Sequence, residues 1–375
     1  MKITAIRTTP LYLKFKQPYH WAFGVNYGAS VVLVEIETDS GIIGIGESVI
    51  SPNIETTLSV INDATPFFVG EQAYDGSRLV AQYYQSGFSL AGSVTPRFFA
   101  QAIAGIDLAL WDIVGKAAKQ PVHCLLGGAV HDRIRYFGFV QGNTPDELAA
   151  HAALLVKTGF SVIYVKVGRG MQLDFEIVKS VRMAIGNVRL RLDANEAWSM
   201  LEARTMLRKL EPFDIEFIEQ PLPSHAGASA LANLRTTTSI PISADQAVYS
   251  ASDVYEVCRT GAADNITLGI HEAGGVQRYL KAAAVAEAAG LNVCIHGVFE
   301  TGITTTATNQ VVATIPNIDD GNQIMVQLLE RDIVKSPELV PVFGTLSISD
   351  LPGLGFELDR DAVEEAAVAY RKKHL

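Results

Sequence analysis

The spacing of apolar residues predicts strands in the N-terminal part of the chain. Residues 3–12, 30–38 and 41–47 form three apolar-rich runs of the kind found in half-buried β-strands. The sequence Asp39-Ser40-Gly41 between the last two runs is typical of a hairpin turn. This part of the chain therefore predicts a small antiparallel sheet.

A long connection at residues 14–28 separates the first two runs. It contains the aromatic sequence Tyr19-His20-Trp21, which is followed by Gly24. Aromatic residues beside glycine in a long connection predict a mobile loop that covers a site. The alternative is an ordinary surface loop whose aromatic side chains pack on the core.

Helical periodicity replaces the strand pattern from about residue 55. The clearest helix is predicted for residues 100–119, where apolar side chains recur every three or four positions. These side chains are Ala100, Ile103, Ile106, Ala109, Leu110 and Ile113. Strands followed by helices predict an α+β unit over residues 1–125.

Short apolar runs alternate with amphipathic helices from about residue 133. Eight such runs lie at residues 134–140, 162–167, 188–193, 215–219, 240–245, 265–268, 292–296 and 324–329. Repeated strand–helix units predict the α/β class, as a modified (β/α)₈ TIM-type barrel over residues 126–335. Residues 336–375 contain a further strand-like run and a helix, which we expect to return to the N-terminal unit as part of an α+β capping domain.

Composition and charge exclude several classes of protein. The chain has 375 residues, of which 48% are hydrophobic, and 30 basic against 40 acidic residues give a net charge of −10. This acidic balance argues against a nucleic-acid-binding protein. The three cysteines are too few and too scattered for a disulfide framework or a structural zinc site. Without an apolar signal region or a long uncharged apolar run, we expect a soluble cytoplasmic protein with no membrane partner.

The residues at the predicted carboxyl ends of successive strands are evenly spaced, and five of the six are charged residues or histidine. They are Lys166, Asp193, Glu219, Asp245, Gly269 and His296, separated by 24 to 27 residues, or about one strand–helix unit. Catalytic groups of such barrels lie at this end of the strands, so we expect the side chains to converge at one mouth.

Three of these residues are acids, and their grouping predicts a cation site. Asp193, Glu219 and Asp245 would repel one another in a partly dry cleft without a positive charge between them. Oxygen donors without thiolate favour Mg²⁺, with Mn²⁺ possible, over zinc. The alternative for any single acid is a helix cap or a solvated loop charge.

Lys166 and His296 are the predicted proton-transfer groups. Lys166 lies in an apolar strand, and burial beside a cation favours its neutral form, which makes it a usable base. The alternative for Lys166 is an ion pair with one of the acids. His296 can act as acid or base, and its alternative is a hydrogen-bonded structural histidine.

Three segments around the acids resemble the metal-ligand segments of the enolase superfamily, and more narrowly its mandelate racemase/muconate lactonizing enzyme branch. They are Leu192-Asp193-Ala194-Asn195, Ile218-Glu219-Gln220-Pro221-Leu222 and Ser243-Ala244-Asp245. Further matching segments are Gly44-Ile45-Gly46-Glu47, Ala109-Leu110-Trp111-Asp112-Ile113, Leu125-Leu126-Gly127-Gly128 and Asp350-Leu351-Pro352-Gly353-Leu354-Gly355. The resemblance spans essentially the whole chain and implies a capping domain over a modified barrel. It also implies an Mg²⁺-dependent enzyme that removes the proton α to a carboxylate.

The resemblance assigns roles to individual residues. Asp193, Glu219 and Asp245 match the metal ligands, and Lys166 matches the second lysine of a Lys-x-Lys motif, the usual base. Further matching residues are Asn195 beside the ligands or substrate, Glu300 near the substrate carboxylate, His296 at the histidine position, and His20 and Trp21 in a substrate-selecting loop. A second such loop matches residues 50–53.

Two positions depart from the family pattern. Tyr164 replaces the first lysine of Lys-x-Lys, which removes a cation near the substrate carboxylate. Gly269 stands where the family has lysine or aspartate, so the sequence predicts no acid to orient His296. His271 and Glu272 follow closely, but the alternation of side chains along a strand argues against either as a substitute.

These departures favour a lyase over an isomerase. Elimination of water needs one strong base, Lys166, and one acid for the departing hydroxyl, which His296 or Tyr164 supplies. We expect a small hydroxy-carboxylate substrate, such as an acid sugar or a hydroxylated amino or imino acid. A racemase, epimerase or cycloisomerase that uses the same enolate is the first alternative. A non-catalytic carboxylate-binding or scaffold barrel is the second, and the resemblance implies a homo-oligomer, either a dimer or an octamer.

Overall fold

The computed structural model describes residues 1–50, 52–87 and 96–373. Ser51, which belongs to the second predicted substrate-selecting loop, lies outside the described residues. The N-terminal unit contains the antiparallel strands β1 (Ile3–Trp21), β2 (Gly24–Thr38) and β3 (Ile43–Val49) in the order β1-β2-β3. Its helices are α1 (Ile54–Phe68), α2 (Gly76–Gly87), α3 (Pro96–Ala118) and α4 (Val122–Leu125).

The connection at residues 14–28 belongs to the paired strands of a hairpin, so its assignment as a loop is wrong. Strand β1 continues to Trp21 and pairs with β2 as far as Trp21 opposite Gly24. Lys14 pairs with Gly28 and Tyr19 with Asn26, so the register shifts between these pairs. The shift interrupts the strict alternation of side chains and hides the strand from a sequence pattern.

Helix α3 lies across the N-terminal sheet and confirms the helix predicted for residues 100–119. Its close contact with β3 depends on glycine, since a Cβ atom on Gly46 would lie only 2.0 Å from the carbonyl oxygen of Gly105. By length and composition α3 could cross a membrane, but 83% of its apolar stretch is buried inside the protein. It is therefore the core helix of the N-terminal unit, packed against the sheet.

The second unit is a curled parallel sheet with helices on its outside. Its strands are β5 (Gly138–Phe139), β6 (Val162–Lys166), β7 (Arg189–Asp193), β8 (Ile215–Glu219), β9 (Ile242–Ala244), β10 (Asn265–Leu268) and β11 (Asn292–Ile295), preceded by the short β4 (Arg133–Arg135). Its helices are α5 (Pro145–Lys157), α6 (Met171–Ile185), α7 (Met200–Leu210), α8 (Ala228–Arg235), α9 (Ala251–Thr260), α10 (Ile270–Ala273), α11 (Val276–Ala288) and α12 (Gly302–Val312). Within the described part of the chain the seven strands β5 to β11 are neighbours in sequence order. This architecture confirms the predicted modified barrel.

The prediction of an eighth strand at residues 324–329 is wrong. The gap between β11 and β5 is bridged instead by residues 317–323, which are not a regular strand. The Asn322 amide hydrogen bonds to the carbonyl of Arg135, and the side-chain oxygen of Asn322 accepts from the Ile295 amide at 2.8 Å. The Asn322 side chain therefore replaces part of the backbone hydrogen-bond ladder that an eighth strand would form. The apolar side chains of residues 324–329 are instead buried in the core.

The C-terminal part of the chain contacts the N-terminal sheet. It contains β12 (Val334–Ser336), β13 (Thr345–Ser347), β14 (Glu357–Leu358) and α13 (Arg360–Lys373). The Arg360 guanidinium lies 2.6 Å from a carboxylate oxygen of Glu35, and the Lys373 ammonium lies 3.8 Å from the centre of the Tyr12 ring. The division of the chain at residues 125 and 335 stays a prediction.

Candidate active site

The three predicted metal-ligand acids lie side by side at the carboxyl ends of the barrel strands. Asp193 ends β7, Glu219 ends β8, and Asp245 directly follows β9. Lys166 pairs with Asp193, and Asp193 with Glu219, across parallel strands, so these residues share one level of the barrel. All four side chains are buried. The structure therefore brings together the predicted base and the predicted ligands.

Unusual backbone conformations mark the loops that carry these acids. Asn195 has a φ of +43° and Gln220 a φ of +32°, in the left-handed region that non-glycine residues rarely adopt. The Asn195 amide donates to Oδ1 of Asp193 at 2.7 Å, and the side-chain oxygen of Gln220 accepts from the Asp245 amide at 3.0 Å. Gln220 thus holds the loop that carries Asp245. This role was not predicted from the sequence, where its one clue is that Gln220 directly follows Glu219.

The acids have the electrostatics of a cation site. Burial raises the pKa of Asp245 to about 7, with further contributions from Glu272 and Asp193. Burial also raises the pKa of Glu219 well above its ordinary value, helped by Asp193 and Asp245. Both carboxylate oxygens of Asp245 are buried and have no hydrogen-bond partner within residues 1–50, 52–87 and 96–373. These oxygen donors fit a hard divalent cation held by Asp193, Glu219 and Asp245.

Lys166 forms an ion pair with Asp193, which is the contact that the alternative interpretation of this residue predicted. Burial alone would lower the pKa of Lys166, but electrostatic interactions with Asp193, Tyr19 and Glu219 raise it above its ordinary value. The Lys166 ammonium also lies 5.4 Å from the centre of the Tyr164 ring. Its role as a base stays a prediction.

Tyr164 joins two of the acids instead of supplying a positive charge. Its hydroxyl lies 2.5 Å from Oδ2 of Asp193 and 2.9 Å from Oε1 of Glu219, so its single proton is donated to one of them. Burial and the two carboxylates raise the pKa of Tyr164 well above its ordinary value. The ring stacks on Phe137 with a centroid distance of 4.1 Å. This hydroxyl stays protonated at neutral pH and acts as a neutral donor to the acids.

His296 has an acidic partner, and the prediction that it lacks one is wrong. Nδ1 of His296 lies 2.6 Å from Oε2 of Glu272. A Cβ atom on Gly269 would lie 2.9 Å from the same oxygen, so the Glu272 carboxylate occupies the space above this glycine. The argument from strand alternation fails because β10 ends at Leu268, and Glu272 belongs to the helical turn α10.

Acidic groups on two sides surround the His296 ring. Burial alone would lower the pKa of His296, but Asp245 and Glu272 raise it to about 10. Nδ1 lies 3.3 Å from Oδ1 of Asp245, without the alignment of a hydrogen bond. His296 and Lys166 thus contact opposite ends of the row of acids, His296 at Asp245 and Lys166 at Asp193.

Glu300 is buried beside His296, with which it interacts electrostatically. Its carboxylate accepts from the Val298 amide and lies over Gly297, where a Cβ atom would come within 2.5 Å of Oε1. Burial and the charge of Glu47 raise the pKa of Glu300 to about 7. Its predicted contact with a substrate carboxylate stays a prediction.

The β1–β2 hairpin covers the site with one of its faces. Tyr19 and Trp21 contact the ring of Phe299, at centroid distances of 5.1 and 6.1 Å. Tyr19 also interacts with Lys166, and burial raises the pKa of Tyr19 to about 12. The sequence placed Tyr19 in the same aromatic segment as Trp21, but a loop assignment conceals that the two side chains share a strand face. His20 lies between them and interacts electrostatically with Glu147 at the start of α5.

Two family models match the chain. Residues 2–127 match the mandelate racemase/muconate lactonizing enzyme N-terminal domain, and residues 147–362 match the enolase C-terminal domain-like model. The N-succinyl-L-Arg/Lys racemase of Bacillus cereus is 27% identical over 98% of both chains. Its crystal structure superimposes with a TM-score of 0.89, also over 98% of both chains.

Other relatives catalyse different reactions. The chloromuconate cycloisomerase of Cupriavidus pinatubonensis is 31% identical over 91% of this chain and 92% of its own. A dipeptide epimerase of Enterococcus faecalis, solved with Mg and the dipeptide L-Leu-L-Tyr, has a TM-score of 0.86 at 28% identity and covers 95% of this chain and 100% of its own. D-galactonate dehydratases also match. The chain is therefore an enzyme of the mandelate racemase/muconate lactonizing enzyme family, within the enolase superfamily.

Proposed function

We propose that this enzyme is a racemase or epimerase that removes the proton α to a carboxylate on one face and returns a proton on the other. The observation that carries the proposal is the hydrogen bond of 2.6 Å between Glu272 and Nδ1 of His296. The sequence favoured elimination of water because His296 had no partner acid, and that reason no longer holds. Lys166 and His296 contact opposite ends of the row of acids, as proton transfer on two faces requires.

Lys166 and His296 have different roles in the proposed proton transfer. Lys166 takes the α-proton on its side of the substrate, and Nε2 of His296 delivers a proton from the other side while Glu272 holds Nδ1. In the reverse direction the two residues exchange roles. Tyr164 donates its single hydrogen bond to Asp193 or Glu219 and keeps the acids in register.

Asp193, Glu219 and Asp245 would hold Mg²⁺, with Mn²⁺ as an alternative. When bound, the cation supplies positive charge that stabilises the negative charge developing on the substrate carboxylate and offsets the acids that keep Lys166 protonated. Two buried Asp245 oxygens without a partner among the described residues support this assignment.

The hairpin limits the size and character of the substrate. Tyr19, Trp21 and Phe299 form an aromatic wall, and the buried Trp21 Nε1 has no hydrogen-bond partner among the described residues. An indole N–H without a partner suits a substrate that presents a hydroxyl or carbonyl oxygen. A small acid sugar or a hydroxylated amino or imino acid meets this requirement.

Elimination of water is the second candidate. The specific observation in its favour is the charge of His296, because a pKa raised to about 10 keeps the imidazole protonated at neutral pH. A protonated histidine can donate to a departing β-hydroxyl as well as to an α-carbon. A cycloisomerase would use the same proton removal at Lys166.

Deuterium incorporation separates these reactions. The Mg²⁺-loaded enzyme is incubated in D₂O with a library of acid sugars, hydroxy acids, amino acids and dipeptides. The masses of the products are measured by mass spectrometry after chiral chromatography. A gain of one deuterium with inverted configuration supports the racemase or epimerase, whereas loss of water establishes the dehydratase. Lys166→Met should abolish exchange on the Lys166 face while Mg²⁺ binding is retained; exchange that survives on this face would exclude Lys166 as the base.

Cellular location and assembly are proposals as well. We propose a cytoplasmic homo-oligomer, the assembly that the family resemblance of the sequence implies. Light scattering after size exclusion would decide between a dimer, an octamer and a monomer.

A further inference from the structure

Arg97 connects the N-terminal unit, here called the capping unit, to the proton-transfer site. It lies at the start of α3, and its guanidinium forms an ion pair with Oε1 of Glu272. The centre of the guanidinium lies 5.2 Å from the centre of the Tyr249 ring. The Glu272 side chain is 1% exposed and that of Arg97 26%, so the contact is largely shielded from solvent. No motif in the sequence pointed to Arg97.

The two oxygens of Glu272 have different partners. Oε1 is paired with Arg97 and Oε2 with Nδ1 of His296, so the carboxylate cannot rotate without breaking one of these contacts. The backbone amide of His296 is held by the carbonyl of Leu268 at 3.0 Å. The imidazole is therefore fixed through its backbone and through Nδ1, which leaves Nε2 for the substrate.

A competing carboxylate explains why this restraint is needed. Oδ1 of Asp245 lies 3.3 Å from the same Nδ1 atom, and Asp245 is one of the predicted metal ligands. The facing groups of Asp245, Glu272 and His296 all lie within 4.8 Å of one another. If Glu272 were free to turn away, His296 would pair with Asp245 and withdraw a ligand from the cation.

We propose that Arg97 is a positioning residue that locks Glu272 onto His296, so that the proton-transfer group of the barrel is oriented by a charge from the capping unit. The orientation of His296 can be tested on the protein alone, and only the consequence for the reaction rests on the proposed function. Glu272 takes the place left by Gly269, and Arg97 holds it there.

The test is nitrogen NMR of the ring of His296 in the Mg²⁺-loaded protein labelled with [¹⁵N]histidine. His296→Gln assigns the signals. In the wild type Nδ1 should carry a proton that is hydrogen bonded to Glu272, and the chemical shifts of this nitrogen and proton are its signature. In Arg97→Met and Glu272→Gln these shifts should move away from the wild-type values as Nδ1 turns to Asp245 or to solvent, and Arg97→Lys should retain part of the signature. Unchanged His296 signals in both Arg97→Met and Glu272→Gln would overturn the proposal.

A relocated acid distinguishes positioning from a general need for Glu272 in folding. In the double variant Gly269→Asp/Glu272→Ala, the new carboxylate starts from a Cβ position that lies 2.9 Å from the place of Oε2 of Glu272 in the wild type. We expect this carboxylate to pair with Arg97 and to restore the Nδ1 signature, and removal of Arg97 from this variant to abolish it again. Two results would contradict the role of Arg97. The double variant could fold, with its Mg²⁺-induced thermal shift intact, and show no Nδ1 signature, or it could show a signature that survives removal of Arg97.

The reaction provides an independent readout. Arg97→Met should reduce deuterium exchange on the His296 face of any substrate found in the D₂O library by about tenfold or more. This is the loss typical when a residue that supports a ligand through a hydrogen bond or ion pair is removed. Exchange on the Lys166 face should persist. Equal loss of exchange on both faces would contradict positioning through His296. If the wild type shows no exchange but Arg97→Met alters the Nδ1 signature, the proposed function is rejected and the positioning role is supported.

Discussion

The hydroxyl of Tyr164 lies 2.5 Å from Oδ2 of Asp193, where family members have a lysine in the same motif. A neutral donor here stabilises the carboxylate without cancelling its charge, so the acids keep their full attraction for a cation. The parallel ring of Phe137 holds Tyr164 in place, with an interplanar angle of 2°. The replacement of lysine by tyrosine is thus compatible with a cation site.

Tyr164→Phe tests this role, because it keeps the stacked ring and removes only the hydroxyl. We expect the Mg²⁺ affinity to fall about tenfold, as when a hydrogen-bond partner of a metal ligand is removed. Calorimetric titration with Mg²⁺ measures the change. Tyr279→Phe is the matched control, since Tyr279 is also buried and its hydroxyl has no partner among the described residues. Equal affinities for the wild type and Tyr164→Phe would show that this hydroxyl does not support the ligands.

Asp245→Asn should change stability in opposite directions with and without metal. Without Mg²⁺ the variant should melt at a higher temperature, because it removes a buried charge whose pKa is raised to about 7. With Mg²⁺ at one hundred times Kd, the wild type should gain about 2.7 kcal/mol and the variant almost nothing. Differential scanning calorimetry with EDTA and with Mg²⁺ measures both effects.

Asp107→Asn is the control for Asp245→Asn. Asp107 is buried in α3, its pKa is likewise raised to about 7 by burial, and it accepts a hydrogen bond from the Val276 amide. The Asp107 variant should therefore keep the full Mg²⁺-induced shift. A normal shift in Asp245→Asn would exclude Asp245 as a ligand.

Glu47 should make the stability of the protein depend on pH. Burial raises its pKa to about 7, although Thr301 and Thr304 donate hydrogen bonds that lower it. Since the folded pKa lies above the ordinary value of 4.5, the stabilising contribution is complete below about pH 4.5 and is lost as the pH rises through 7. Between pH 5 and pH 8 the wild type should lose about 2 kcal/mol more than Glu47→Gln. Urea unfolding of both proteins at the two pH values measures this, and parallel losses would contradict it.

Arg191 should be essential for closing the barrel. Its side chain is 1% exposed, and it pairs with Glu216 and with Asp319 of the irregular segment that replaces the eighth strand. Arg191→Met should cost about 3–5 kcal/mol, because it breaks a largely buried ion pair with Asp319 and leaves Glu216 with only the half-exposed Arg189 as its partner. Arg189→Met should cost about 1 kcal/mol or less, since Arg189 is 38% exposed while it contacts the same Glu216. Similar losses in urea unfolding would show that burial does not set the difference.

Local patterns in the sequence were sufficient for the regular part of the fold. The alternation of apolar runs and helices predicted the strands β6 to β11, and the spacing of the acids at their ends placed Asp193, Glu219 and Asp245 at one level. Such predictions succeed because strand ends in a parallel barrel repeat with the length of one strand–helix unit. The match to family models confirms the family that the motifs indicated.

Contacts between distant residues decided the rest. The partner of His296 depended on where β10 ends and on a helical turn that carries Glu272 back over Gly269, and the turn has no periodic signal. Arg97 lies 175 positions before Glu272, so no spacing rule could relate the two residues. The sequence by itself determined the barrel and the row of acids, because these follow from local periodicity, and its motifs indicated the family by resemblance. Only the tertiary structure decided which charges support His296, because ion pairs across a domain boundary depend on the packing of whole elements.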